Sequence, residues 1–108
     1  MDRDVYVYAL SRIFDMKPHL GRRLVESFEN LSDLFEMKER DLVELFGGNV
    51  ELAGRLMEDG VLEKSYREMV WAGSRGVSLL FYDDEKYPKL LKECEDAPML
   101  LFYIGNAE

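Results

Sequence analysis

The chain has 108 residues, 47% of them hydrophobic and 33% charged, enough for one modest core and too apolar for a disordered tail. It lacks the ~20-residue apolar run that spans a membrane, and its single cysteine and single histidine exclude an internal disulfide framework and a Cys/His zinc site. Net charge is −8, with both halves acidic, so tight binding to phosphate backbones by this chain alone is disfavoured.

The first 73 residues read as short helices. Residues 4–14 place Tyr6, Leu10 and Ile13 on one stripe, with Ala9 beside it. Pro18 suits the first position of a second helix, where its missing N–H costs nothing. That helix carries Leu20, Leu24, Val25 and Phe28 inward and Arg22, Arg23, Glu26 and Glu29 toward water. Ser32 is an expected N-cap for a short turn holding Leu34 and Phe35. Residues 39–46 continue as a helix with Leu42, Leu45 and Phe46 inward, closed by Gly47-Gly48, because glycine accepts the left-handed cap geometry. Asn49 caps the next helix, whose inward face is Leu52, Ala53, Leu56 and Met57. After Gly60 the stripe returns as Leu62, Tyr66, Met69 and Val70.

Beyond Gly73 the pattern changes. Val77-Ser78-Leu79-Leu80-Phe81-Tyr82 and Met99-Leu100-Leu101-Phe102-Tyr103-Ile104 are near-continuous apolar runs, the second followed by Gly105-Asn106. Such runs suit strands buried on both faces, the usual state in a parallel sheet. The intervening residues 83–98 are long enough for a crossover. They hold a turn at Asp83-Asp84, the pair Tyr87-Pro88, a short helix over Lys89–Glu93 and a turn at Asp96-Ala97-Pro98. The expected fold class is α+β: a helical domain over 1–73, then a β-α-β unit over 74–108 whose strands pair in parallel through a right-handed crossover. Two parallel strands make a poor sheet by themselves. The chain is therefore expected to be a piece of a longer protein, and to self-associate through residues 77–104, where sheet edges and an apolar face lack cover.

The helix–turn–helix arrangements resemble helix-hairpin-helix modules, which hold DNA phosphates on backbone N–H groups at a glycine-containing turn. The first turn, Ile13-Phe14-Asp15-Met16-Lys17, has Asp15 and Lys17 where glycines are wanted; the second, Leu45-Phe46-Gly47-Gly48-Asn49, is nearer the pattern but lies between Glu44 and Glu51. Lys17, Arg22 and Arg23 form a local basic cluster. Lys17, Arg22, Arg23, Gly47, Gly48 and Asn49 are thus the candidate DNA-contacting residues, all for weak contact. Structural roles, a solvated helix face and ordinary turns, compete with that assignment.

No catalytic set is expected: neither strand is followed by a phosphate loop or a Gly-x-Gly-x-x-Gly turn. His19 reads as an exposed or capping residue at a helix start. Cys94 reads as a small buried apolar side chain without a cation to activate it. Asp83, Asp84 and Glu85 read as turn residues and not as metal ligands. No cofactor and no metal are expected, and the acidic N-terminus without a cleavable apolar stretch points to the cytoplasm.

Residues Tyr87 to Asn106, Tyr-Pro-Lys-Leu-Leu-Lys-Glu-Cys-Glu-Asp-Ala-Pro-Met-Leu-Leu-Phe-Tyr-Ile-Gly-Asn, closely resemble the entry to the Rossmann-like domain of the DNA-processing protein A family (DprA/Smf). That family shows Tyr-Pro, leucines, an acidic-Pro turn and an apolar strand ending in Gly-Asn. The resemblance extends upstream through Asp83-Asp84-Glu85-Lys86 and Gly76-Val77 to a helical region of the sterile-alpha-motif-like, or paired helix-hairpin-helix, kind. It is specific over 76–106. It implies a single-stranded-DNA-binding recombination mediator that loads a RecA-type recombinase during natural transformation and is not an enzyme. In such proteins the main DNA grip lies beyond the Gly-Asn strand end, so this chain would be an accessory or interaction domain with little DNA binding of its own. A helix-hairpin-helix duplex-DNA module and a Rossmann-like nucleotide-processing enzyme are the alternatives.

Overall fold

The structure, a computed structural model, describes residues 3–94 and 96–104. Six helices precede a two-stranded sheet: α1 (Arg3–Ile13), α2 (Pro18–Ser27), α3 (Leu31–Phe35), α4 (Glu39–Leu45), α5 (Val50–Met57) and α6 (Val61–Ser74), then β1 (Val77–Phe81), the single turn α7 (Lys89–Lys92) and β2 (Leu100–Ile104). The architecture is mixed α and β. No described helix is long and apolar enough to cross a membrane.

Helix α1 is the hub. Val5, Val7, Tyr8, Ala9, Leu10 and Ile13 are all buried, a wider face than the expected stripe. A helix apolar on most sides is one that other elements surround, and α1 packs against α2, α3, α5 and α6. Its end is set at Phe14–Met16, and Pro18 opens α2 as its first residue. Helix α3 begins one residue before Ser32, which was expected to cap it; Asn30 holds the cap position. The earlier start buries Leu31 together with Leu34, and that burial outweighs one side-chain cap of ~1 kcal/mol.

Between α4 and α5 the local chemistry acts as the residue types dictate. Gly47 and Gly48 both take positive φ, 65° and 91°, and Gly48 N–H donates to the Val43 carbonyl at 2.8 Å. Asn49 Oδ1 then accepts from Leu52 N–H at 3.1 Å, capping α5. Leu42, Ala53 and Leu56 go into the core. Leu45, expected inward, is 44% exposed.

Helix α6 is turned relative to its expected orientation. The side toward α1 carries Ser65 and Ala72, both buried, and Glu68. Tyr66, Val70 and Trp71 are exposed. Small residues let two helix backbones approach closely, and Ser65 satisfies its own hydroxyl by donating to the Val61 carbonyl at 2.8 Å.

The strands pair antiparallel, with Val77 opposite Ile104 and Phe81 opposite Leu100. This corrects the expected parallel β-α-β unit and its right-handed crossover. A parallel return needs a connection that runs the length of the sheet. Here the connection closes on itself at one end: Asp84 N–H donates to the Phe81 carbonyl at 2.9 Å, Tyr82 N–H to the Met99 carbonyl at 2.9 Å, and the buried Tyr87 donates its hydroxyl to the Pro98 carbonyl at 2.7 Å. The chain re-enters beside the end of β1 and runs backward. Met99, just before β2, belongs to the same buried cluster as Leu10, Phe14, Leu24 and Leu56, and Phe81 packs against it. The sheet face expected to lack cover is thus partly covered by the helices. Cys94 is exposed, contrary to the expected buried position, because the one-turn α7 buries none of its side chains. The expected strand-closing Gly105-Asn106 lies outside the described residues.

Candidate nucleic-acid interface

The six candidate residues do not form one site, although Lys17 and Asn49 border a common cleft. Lys17 precedes α2 with an exposed side chain and shares a cleft of about 290 Å³ with Asn49, Glu51 and Arg55. Arg22 turns away from it: its guanidinium lies 4.6 Å from the centroid of the Tyr82 ring, where it helps fasten α2 to the hairpin. Arg23 is exposed on α2. The basic cluster seen in sequence is therefore divided between two surfaces.

The glycine turn is exposed and open, with no atom within 4 Å of a Cβ placed at Gly47 or Gly48. Its amides, however, are consumed internally. Gly47 N–H donates to Glu44, Gly48 N–H to Val43 and Asn49 N–H to Phe46. A hairpin that grips phosphate needs such donors pointing outward. The Asn49 carboxamide oxygen is likewise spent on its own helix.

The acidic turn after β1 also has structural occupations. Asp83 pairs with Arg3 on α1 at 3.3 Å, and Asp84 Oδ1 accepts from Lys86 N–H at 3.0 Å. Among the described residues no three His, Cys, Asp or Glu side chains are grouped to hold a metal ion.

A different set of side chains meets between α1, α6 and β2. Tyr8 donates its hydroxyl to Glu68 Oε1 at 3.0 Å, and Arg12 Nε lies 3.8 Å from the same oxygen. Arg55 Nη2 donates to the Arg12 carbonyl at 3.1 Å. Burial first, and then the hydrogen bond to the Glu68 carboxylate, push the Tyr8 phenol up to about 12. The Tyr8 ring meets Phe102 edge-on, centroids 6.4 Å apart. Tyr8, Arg12, Glu68, Trp71, Ala72, Val77 and Phe102 line a groove of about 410 Å³, and Arg75 holds its guanidinium 5.0 Å from the Trp71 ring centroid. The sequence carries a signal for this surface in Trp71 and Arg75, four apart across the C-terminal end of α6, where Arg75 is the cap. A reading that followed the apolar stripe Leu62, Tyr66, Met69 and Val70 passes it by.

Compared with protein-family models, with curated proteins and with solved structures, the chain matches none.

Proposed function

We propose that this chain is the N-terminal portion of a DprA/Smf-like mediator, which binds single-stranded DNA and hands it to a RecA-type recombinase, and that it serves there as a positioning or interaction domain. The observation that carries the reading is the pattern from Tyr87-Pro88 through Asp96-Ala97-Pro98 to Gly105-Asn106. The hydrogen bond from Tyr87 to the Pro98 carbonyl ties the Tyr87-Pro88 part of that pattern to its Asp96-Ala97-Pro98 turn. It clamps the loop between the strands and supports a structural role for Tyr87.

The charge of −8 and the internally spent amides of the glycine turn favour this role over a helix-hairpin-helix duplex module. Titration against labelled single- and double-stranded oligonucleotides at two salt concentrations tests it, together with a binding assay against a purified RecA-type recombinase. The expected result is weak DNA binding near physiological salt, a preference for single strands at low salt, and detectable association with the recombinase. Sub-micromolar duplex binding with a steep salt slope, or turnover of a nucleotide, would overturn the reading.

A further inference from the structure

We propose that the groove between α6 and β2 is a stacking site for unpaired nucleobases, with Trp71 and Phe102 as the platforms and Arg12 and Arg75 as the phosphate contacts. This rests on the single-stranded-DNA reading above and places on this chain a contact which that reading did not assign.

Three observations carry it. First, two large aromatic side chains stay open to solvent where the core had no use for them: Trp71 is 59% and Phe102 54% exposed, and both line the same groove. Aromatic faces at this level of exposure suit the faces of bases, and only unpaired bases present theirs. Second, the local charge departs from that of the molecule. Arg75, the C-cap of α6, holds its guanidinium over the Trp71 ring, and Arg12 borders the groove from α1. The acidic side chain that lines it, Glu68, is engaged by Tyr8 and Arg12. Two guanidinium groups, Arg12 and Arg75, stand against the one carboxylate at the groove, so the local charge complements an anion. Third, an acidic peptide would satisfy the arginines but leave the two aromatic faces without a matching surface, whereas a single strand supplies both chemistries along one chain.

The contact spans one or two nucleotides and is weak, since the remaining surface is acidic. Trp71 is the sole tryptophan of the chain, so its fluorescence reports on this groove alone. The experiment titrates the 108-residue chain at low salt with an oligothymidylate. An abasic deoxyribose-phosphate oligomer of equal length and a polyglutamate serve as comparison ligands. Anisotropy of a labelled oligothymidylate is followed in parallel, because it detects binding anywhere on the chain. The expected result is saturable quenching by the oligothymidylate and little by the other two. Phe102→Ala should weaken binding about 5- to 100-fold, the usual worth of one stacked base. Arg75→Gln, at an exposed position that leaves the fold intact, should lower the salt slope by about 0.7.

Equal quenching by the abasic oligomer or by polyglutamate overturns the stacking assignment and leaves a site for anions or acidic peptides. A rise in anisotropy without quenching means that DNA binds elsewhere: the groove assignment falls and the single-stranded-DNA reading stands. Absence of both signals overturns the groove assignment, and the recombinase assay then judges the wider reading by itself.

Discussion

Met99 occupies the space that a side chain at Gly21 would need. A Cβ built on Gly21 would overlap Met99 Sδ and lie 3.3 Å from Phe14 Cβ. The absence of a side chain in the middle of α2 is what lets the hairpin press its one core methionine between α1 and α2. A glycine inside a helix ordinarily costs about 1 kcal/mol relative to alanine. Here that cost is offset by burying Met99, which is 3% exposed.

The first prediction follows from that pair. Gly21→Val should destabilise the protein by ~1–3 kcal/mol, the usual result of overpacking, and Met99→Ala by ~2–5 kcal/mol. Gly21→Ala should be nearly neutral, its helix-propensity gain cancelling the displacement of the flexible methionine. Combined with Met99→Ala, Gly21→Val should cost less than the sum of the two single changes, because the overlapping atoms are gone. Urea denaturation of the four proteins checks this; strict additivity would mean that α2 and the hairpin do not share this contact.

A second pair of substitutions tests the orientation of the helices. Leu56 is 1% exposed and Tyr66 is 54% exposed, although helical spacing alone puts both on inward stripes. Leu56→Ala should cost ~2–5 kcal/mol, and Tyr66→Ala should fall within ~0.5 kcal/mol of zero, as surface changes do. Thermal melts of the two variants check the inward face of α5 through Leu56 and that of α6 through Tyr66. A large loss from Tyr66→Ala would place its aromatic ring in a core.

What was legible in the sequence was local. Pro18, Gly47, Gly48 and Asn49 act within a few residues of themselves, through φ restriction, left-handed backbone and a side-chain cap, so residue type nearly determines their role. The inward face of α6 was not legible. Its contact with α1 is made by Ser65, Ala72 and the Glu68–Tyr8 hydrogen bond, and small or polar residues leave no apolar periodicity to read. Strand direction was equally hidden, since an apolar run says nothing of which way its neighbour runs, and the expected burial on both faces fails for β2, where Phe102 and Ile104 are exposed. The candidate DNA cluster failed for a related reason. Lys17, Arg22 and Arg23 are close in sequence, but Arg22 is drawn to Tyr82, sixty residues on, by a contact that no local pattern records.

The third prediction concerns alkaline pH. The Tyr8 phenol is raised from 10 to about 12, and Tyr87 is also raised, first by burial. A phenol with a folded-state pKa above its unfolded value favours the folded state while it is protonated. Its full contribution is present below pH 10. Above pH 10 the unfolded chain loses the proton first, so stability falls with rising pH through about 12. The melting temperature should therefore decline over this window, and Tyr8→Phe should make the decline shallower by removing one of the two groups. An unchanged profile in Tyr8→Phe would show that Tyr8 is not the phenol being titrated.

The fourth prediction concerns the sheet edges. Among the described residues the sheet has two strands, so each leaves one edge unpaired. Proteins commonly protect such edges with charges or proline, yet Val77–Phe81 and Leu100–Ile104 contain neither. Ile104 is 83% exposed at the end of β2. Edge pairing with a second copy would add backbone hydrogen bonds worth ~0.5–1.5 kcal/mol each, and covering Ile104 would add ~1.5–3 kcal/mol. Association costs at least ~4 kcal/mol in lost freedom, so the outcome is a weak, concentration-dependent dimer through residues 77–104. Sedimentation velocity at two concentrations should show the average mass rising with concentration. Ile104→Lys, which places a charge on the edge strand, should abolish that rise, and Tyr66→Glu on the outer face of α6 should leave it unchanged. A dimer lost in Tyr66→Glu and kept in Ile104→Lys would move the contact from the sheet to α6. A chain that stays monomeric throughout would mean that two short uncharged edges are too little, at these concentrations, to repay the entropy of bringing two molecules together.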